Sequence, residues 1–183
     1  MNISSPWLRS YLNGEISEPL VISTTGSGGE VKKVEIPAVA LIESAKAAHK
    51  FLGAVAGNTW SILLPTNHIA GINVLARSIL LNSEVKTVDE KSDFTSIVPT
   101  QLHKALTEDK KLLNHLQSCK AVLVGGARLS ESLLASAIDA GINVVTTYGS
   151  TETCGGCVYN GIPLDGVEIQ IVDGLIEIKT PGM

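Results

Sequence analysis

The run Ala121-Val122-Leu123-Val124 ends in Gly125-Gly126, a helical pattern follows, and a second apolar run, Ile142–Thr146, comes next. This alternation constrains the fold most strongly. Short apolar runs bounded by turn residues read as buried strands. Ser130 supplies an oxygen for the first free N–H groups of a helix reaching Ala140, and Gly141 suits its stop. Parallel strands need a long crossover, which this helix provides.

The same alternation runs through the chain. Leu20–Ser23 reads as a strand. A helix from Pro37 carries Leu41, Ala45, Ala48, Leu52 and Val55 about one turn apart, with Gly57-Asn58 as its stop. Trp60–Leu64 reads as a strand broken by Pro65, and Ile69–Leu81 as a helix with Leu75, Ile79 and Leu80 inward. Val85–Val88 and Phe94–Val98 are short β-type runs, followed by helices over Pro99–Leu106 and Asp109–Leu116. Glu168–Val172 and Leu175–Lys179 alternate around Asp173-Gly174, a hairpin signal because both turn residues accept positive φ. The expected class is α/β: a mainly parallel sheet covered by helices, with a C-terminal antiparallel hairpin.

Composition narrows the function. The 183 residues are 44% apolar and 17% charged, enough for a substantial core in one domain or slightly more. A net charge of −4 favours neither nucleic acid nor an anionic membrane. No leader-like stretch opens the chain, and no apolar run approaches the roughly 18 residues of a spanning helix. The expectation is a cytoplasmic protein with no nucleic-acid partner and no membrane span. Cys154-Gly155-Gly156-Cys157 has redox or zinc spacing but lacks a second ligand pair, and reads as small residues in a tight glycine-rich segment. His49, His103 and His115 are expected on the surface.

Two polar segments carry chemistry. Tyr148-Gly149-Ser150-Thr151-Glu152 is expected as a turn where the Ile142–Thr146 strand ends, offering an aromatic face, a backbone-exposing glycine, two hydroxyls and a carboxylate. Those groups suit a nucleotide, and ligands of open α/β sheets collect outside the carboxyl ends of strands. Upstream, a loop combines Thr24, Thr25, Gly26, Ser27, Gly28, Gly29 and Lys32. Glycines let backbone N–H groups approach phosphate oxygens, and lysine adds a point charge. The loop is not a Walker A motif, which needs glycine where Val31 stands and Ser or Thr where Lys33 stands; Val31 also breaks a dinucleotide fingerprint. Alone, it reads equally as an ordinary loop or a phosphate clamp. His68 alone reads as a helix-start histidine, and Arg77 equally as a surface arginine or a ligand-binding one.

Order adds specificity. The Ser/Thr/Gly-Lys loop precedes Pro65-Thr66-Asn67-His68-Ile69-Ala70-Gly71, then Gly125-Gly126-Ala127, then Tyr148–Glu152. This arrangement resembles the adenylate-forming acyl-CoA synthetases, whose motifs read approximately T-S-G-[ST]-T-G-x-P-K and Y-G-x-T-E. Pro65–Gly71, Arg77, Val98–Leu102 and Thr151–Val158 are most similar to the o-succinylbenzoate–CoA ligase branch of menaquinone synthesis. The resemblance covers nearly the whole chain. It implies that Thr24, Thr25, Gly26, Ser27, Gly29 and Lys32 hold the ATP phosphates. Gly125, Gly126 and Ala127 would line the adenine and acyl pocket, with Tyr148 and Gly149 against the nucleotide. Thr151 would contact the α-phosphate and Glu152 would hold Mg²⁺, making Lys32, Thr151 and Glu152 the catalytic set. His68, Arg77, Gly126 and Ser150 would meet the acyl substrate, Arg77 through its aromatic carboxylate.

The implied partners are o-succinylbenzoate, ATP and CoA as co-substrate, with a homodimer as the family-level expectation. The alternatives are a non-catalytic nucleotide- or acyl-binding fragment and a synthetase for another carboxylic acid. Gly28, Val31 and Lys33 depart from the family pattern at its threonine, proline and glycine. Residues 1–183 would form part of the N-terminal ATP- and acyl-binding domain. The lysine-bearing C-terminal domain would be absent and adenylation correspondingly impaired.

Overall fold

The computed structural model describes residues 3–25 and 31–183. Its centre is a six-stranded sheet in the order β3 (Trp60–Ser61), β4 (Phe94–Ile97), β5 (Ala121–Val124), β6 (Val144–Ser150), β7 (Gly155–Tyr159) and β8 (Ile162–Pro163). The first four strands run parallel; β7 and β8 continue the sheet antiparallel. The expected class holds. Every residue of β4 and β5 is buried, which explains why these strands read as short apolar or small-residue runs rather than as alternating ones.

Period-two geometry sends alternate side chains to opposite faces. Phe94, Ala121, Leu123 and Val145 meet Ala48 of α2 (Ala38–Leu52) and Val74 of α3 (Ile69–Leu80). On the other face Ile97, Val122 and Val124 meet Leu102 of α4 (Pro99–Thr107), Leu112 and Leu116 of α5 (Lys110–Ser118), and Ala137 of α6 (Glu131–Asp139). Ser130 caps α6 as expected, its hydroxyl accepting from the Leu133 N–H. A third cluster ties α1 (Ser5–Leu12) and the hairpin of β1 (Leu20–Thr25) and β2 (Val31–Ile36) to α2 and α3. Among the described residues no helix is long and apolar enough to cross a membrane.

Several boundaries differ from expectation. Helix α2 stops at Gly53, not Gly57, because Gly53 takes the left-handed conformation (φ 63°) and its N–H reaches the last carbonyls. Strand β3 is two residues long, and the expected Val85–Val88 run contributes a single parallel bridge, from Lys86 to Ser61 of β3. Lys32 and Lys33 lie in β2, not in a loop. The Tyr148–Glu152 turn is also corrected: Tyr148, Gly149 and Ser150 are strand, paired across β7 with a register shift between Tyr148 and Gly149. His115 is buried rather than exposed, since Leu112, His115 and Leu116 share the inward face of α5, and His49 of α2 is half-buried.

The closing hairpin forms as the sequence indicates, β9 (Glu168–Val172) against β10 (Leu175–Lys179), with Asp173 and Gly174 at φ 50° and 79°. Its register places Ile169, Ile171, Ile176 and Ile178 on one face. On the other, Gln170 bonds Glu177 at 2.8 Å and Lys179 pairs with Glu168.

Candidate active site

A cleft of about 490 Å³ opens beyond the carboxyl ends of the parallel strands. Leu64 follows β3, Val98 follows β4, and Gly125 and Gly126 follow β5; β6 contributes Thr147, Gly149 and Ser150, and Thr151 and Glu152 come next. Helix α3 forms another wall with Asn73 and Arg77, His68 stands at its N-terminal end, and Thr24 of β1 closes the rim. Four separated segments thus bring Thr24, His68, Arg77, Gly125, Gly126, Gly149, Ser150, Thr151 and Glu152 to one space. His68, which is exposed, also borders an apolar groove of about 470 Å³ between α1, β1 and α3.

Ala127 and Tyr148 lie elsewhere. They line an adjoining hollow of about 600 Å³ with Arg128, Leu129 and Val158, and Gly126 and Gly149 border both spaces. Tyr148 is 62% exposed, so its ring is an open platform rather than part of the core. Lys32 is exposed on β2 opposite Thr24, and its charge reaches Glu152. Gly26, Ser27, Gly28, Gly29 and the Thr25 side chain lie outside the described residues.

The segment after β6 is shaped by close backbone approach. A Cβ on Gly149 would stand 2.0 Å from the Gly155 carbonyl oxygen, and one on Gly125 would stand 2.1 Å from Thr147 Oγ1. Both positions therefore exclude a side chain. Thr153 Oγ1 accepts from the Ser150 N–H at 2.8 Å and donates to the Gly155 carbonyl at 2.8 Å, closing the turn. The Glu152 carboxylate is held below its ordinary value first by its own backbone N–H, then by the Ser150 hydroxyl, with Lys32 adding an attractive charge. An ionised carboxylate beside hydroxyls is an oxygen donor set suited to a hard divalent cation.

Sequence reasoning missed two residues of the site. Asn73 is buried, and its Nδ2 donates to the Cys154 carbonyl at 2.8 Å, tying α3 to the turn. Its signal was present: it lies four residues from both Ile69 and Arg77, on one helical face. Tyr159 is fully buried at the end of β7, and Arg77 Nη2 donates to its hydroxyl at 2.9 Å. The preceding glycines and cysteine hid that strand.

Arg77 itself is 3% exposed. Nη1 lies 3.4 Å from Ser96 Oγ, the guanidinium sits 5.0 Å from the centroid of the Trp60 ring, and Nε has no partner among the described residues. No described carboxylate pairs with it. Beside it, burial first and the Arg77 charge second push His49 down to about 4. Cys154 and Cys157 are buried free thiols; burial raises both, Cys154 to about 12.

Comparison with known proteins places this geometry. The family model for "AMP-binding enzyme" matches residues 19–177. A probable 2-succinylbenzoate–CoA ligase of Mycobacterium tuberculosis is 39% identical over 173 residues, covering 85% of this chain and 44% of that protein. Two structures of o-succinylbenzoate coenzyme A synthetase from Bacillus subtilis superpose with TM-scores of 0.76 at 26% identity. One, with the acyl-adenylate intermediate, covers 88% of this chain and 40% of its own. The other, with ATP and a magnesium ion, covers 88% and 41%. The chain therefore spans less than half the length of these relatives. A parallel sheet whose strand ends gather the Thr24, Gly125-Gly126 and Ser150–Glu152 segments, matched by the family model over most of its length, makes the chain a member of the AMP-binding enzyme family.

Proposed function

We propose that the chain provides ATP- and acyl-binding surfaces for activation of o-succinylbenzoate, through an acyl-adenylate, to its CoA thioester. Residues 1–183 act in this reading as part of the N-terminal domain of an acid–thiol ligase. The observation that carries it is the buried Arg77, without a described carboxylate partner, in the same cleft as Thr24, Gly125-Gly126 and Ser150–Glu152. A cation kept from water without a matching acid suits an anionic ligand. The identity to the mycobacterial ligase and the ligands of the Bacillus structures point to the same acid and nucleotide.

In this reading Thr24 and Lys32, together with Thr25, Gly26, Ser27 and Gly29, hold the phosphates. The adenine lies in the hollow bordered by Ala127, Gly126 and Gly149, with Tyr148 as its aromatic platform. Thr151 meets the α-phosphate, and Glu152 holds Mg²⁺, which when bound neutralises phosphate charge. The acyl substrate occupies the cleft between His68 and Arg77, with Gly126 and Ser150 along its path. Its carboxylate attacks the α-phosphorus and pyrophosphate leaves. The CoA thiol then attacks the acyl carbon and AMP leaves. Fixed donors at the phosphates lower the barrier to the first step, and loss of one such group typically costs about 10²–10³ in rate.

Calorimetry on the purified chain tests the reading. Binding of ATP in Mg²⁺ and of o-succinylbenzoate is expected, with Glu152→Gln weakening only the Mg²⁺-dependent part of the nucleotide affinity. A chain that binds neither ligand sinks the proposal.

A further inference from the structure

We propose that Tyr159 is the positioning residue for Arg77, and through it sets a preference for acids that carry a second carboxylate on the ring. This rests on the reading of Arg77 as the group that meets the substrate's aromatic carboxylate. An arginine side chain has several rotatable bonds, and its planar fork recognises a carboxylate only when its plane and edge are fixed. Three neighbours fix them here. The Trp60 ring lies against the guanidinium at 5.0 Å, Ser96 Oγ stands 3.4 Å from Nη1, and the Tyr159 hydroxyl accepts from Nη2 at 2.9 Å.

Tyr159 is the strongest of the three. Its bond is the shorter of the two, and the residue is fully buried. Its ring is pinned from behind by an edge-on contact with Phe51, with centroids 5.3 Å apart and planes at 78°. Its backbone is pinned as well, because it pairs with Thr147, another residue of the cleft wall. A hydroxyl held on both sides cannot follow a wandering guanidinium, so the guanidinium comes to it. Tyr159 and Ser96 each take one N–H, from Nη2 and Nη1, of the five that the guanidinium carries; a second N–H on each of these nitrogens remains for a ligand, and Nε, which is buried, has no partner among the described residues. Tyr159 thus belongs to the recognition of the ring carboxylate and not to that of ATP.

The test uses two acids that differ by one group: o-succinylbenzoate, and 3-benzoylpropionate, the same keto acid without the ring carboxylate. The ratio of their dissociation constants, measured calorimetrically on the full chain, reads the contribution of that carboxylate. Tyr159→Phe keeps the ring packing and removes only the hydroxyl. The expected result is a loss of about tenfold in the ratio, the scale of one hydrogen bond to a charged group, with ATP affinity unchanged. Ser96→Ala lowers the ratio by a smaller factor and serves as the second variant if Tyr159→Phe does not fold. An equal weakening of both acids by Tyr159→Phe means a structural role and overturns the proposal. Arg77→Ala separates the two layers. If it lowers the ratio while Tyr159→Phe does not, only the positioning role fails. If Arg77→Ala leaves the ratio intact, the assignment of Arg77 fails and the positioning proposal falls with it.

Discussion

The central sheet and the closing hairpin use similar β-branched residues and end in opposite environments. Strands β4 and β5 are buried at every position, whereas β9 is exposed at all five and β10 at all but Ile178. The difference lies in what covers each strand. Helices lie against both faces of β5, so its side chains fill cores on either side. The hairpin has a well-formed register and a polar face closed by its own pairs, but its isoleucine face stands largely in solvent. Local pattern sets strand and register; packing sets burial. The candidate site belongs to the covered part, where strand ends are held tightly enough to fix a cleft.

The largest test of that contrast compares two isoleucines. Ile97→Ala, at 1% exposure in β4, is expected to cost about 2–5 kcal/mol in denaturant unfolding, the usual range for emptying a core position. Ile171→Ala, at 76% exposure in β9, should stay within about 0.5 kcal/mol. Equal costs would break the comparison.

Two glycines sharpen it next. Gly149→Ala drives a Cβ against the Gly155 carbonyl and should destabilise by about 1–3 kcal/mol, weakening ATP binding as the turn is pushed aside. Gly174→Ala in the hairpin meets nothing within 4 Å and carries only the strain of φ 79°, about 1 kcal/mol, with ATP binding unchanged.

A pH slope that belongs to the covered part alone tests the contrast in a third way. Burial holds His49 neutral down to about 4, against an ordinary value of 6.5, and burial also lowers His115. Below 6.5 the unfolded chain takes up these protons first. The stabilisation is therefore complete above 6.5 and declines as pH falls toward 4. His49→Gln and His115→Gln should each flatten part of this decline in thermal unfolding. A slope unchanged in both variants would assign it to other groups.

Legibility in the sequence followed the same divide. The hairpin was readable to the residue because Asp173-Gly174 accepts positive φ and the alternation on either side is local. Strand β5 and helix α6 were readable from an apolar run, a serine cap and a glycine stop. Strand β2 was hidden because Lys32, Lys33 and Glu35 interrupt its apolar residues, while β7 was hidden by Gly155 and Gly156. Of the candidate site, the polar segments were visible by type and order. Their division into a cleft and an adjoining hollow was not, because it depends on which side of β6 each residue faces. Asn73 and Tyr159 were missed for a related reason: each acts through a partner about 80 residues away in the chain, a distance at which periodicity carries no information.

Arg77 has one consequence for folding itself. A positive charge shut from water with only neutral partners among the described residues weighs against the native state, and an anion that settles beside it relieves that strain on the fold. Occupancy and thermal endurance are then linked in this chain. The melting temperature should climb with the concentration of an aromatic dicarboxylate, by an amount that tracks its affinity. A Met in place of Arg77 would make the protein hardier and deaf to that ligand. The residue proposed to read the ligand's carboxylate would thus also make the empty protein less stable than its core alone would allow.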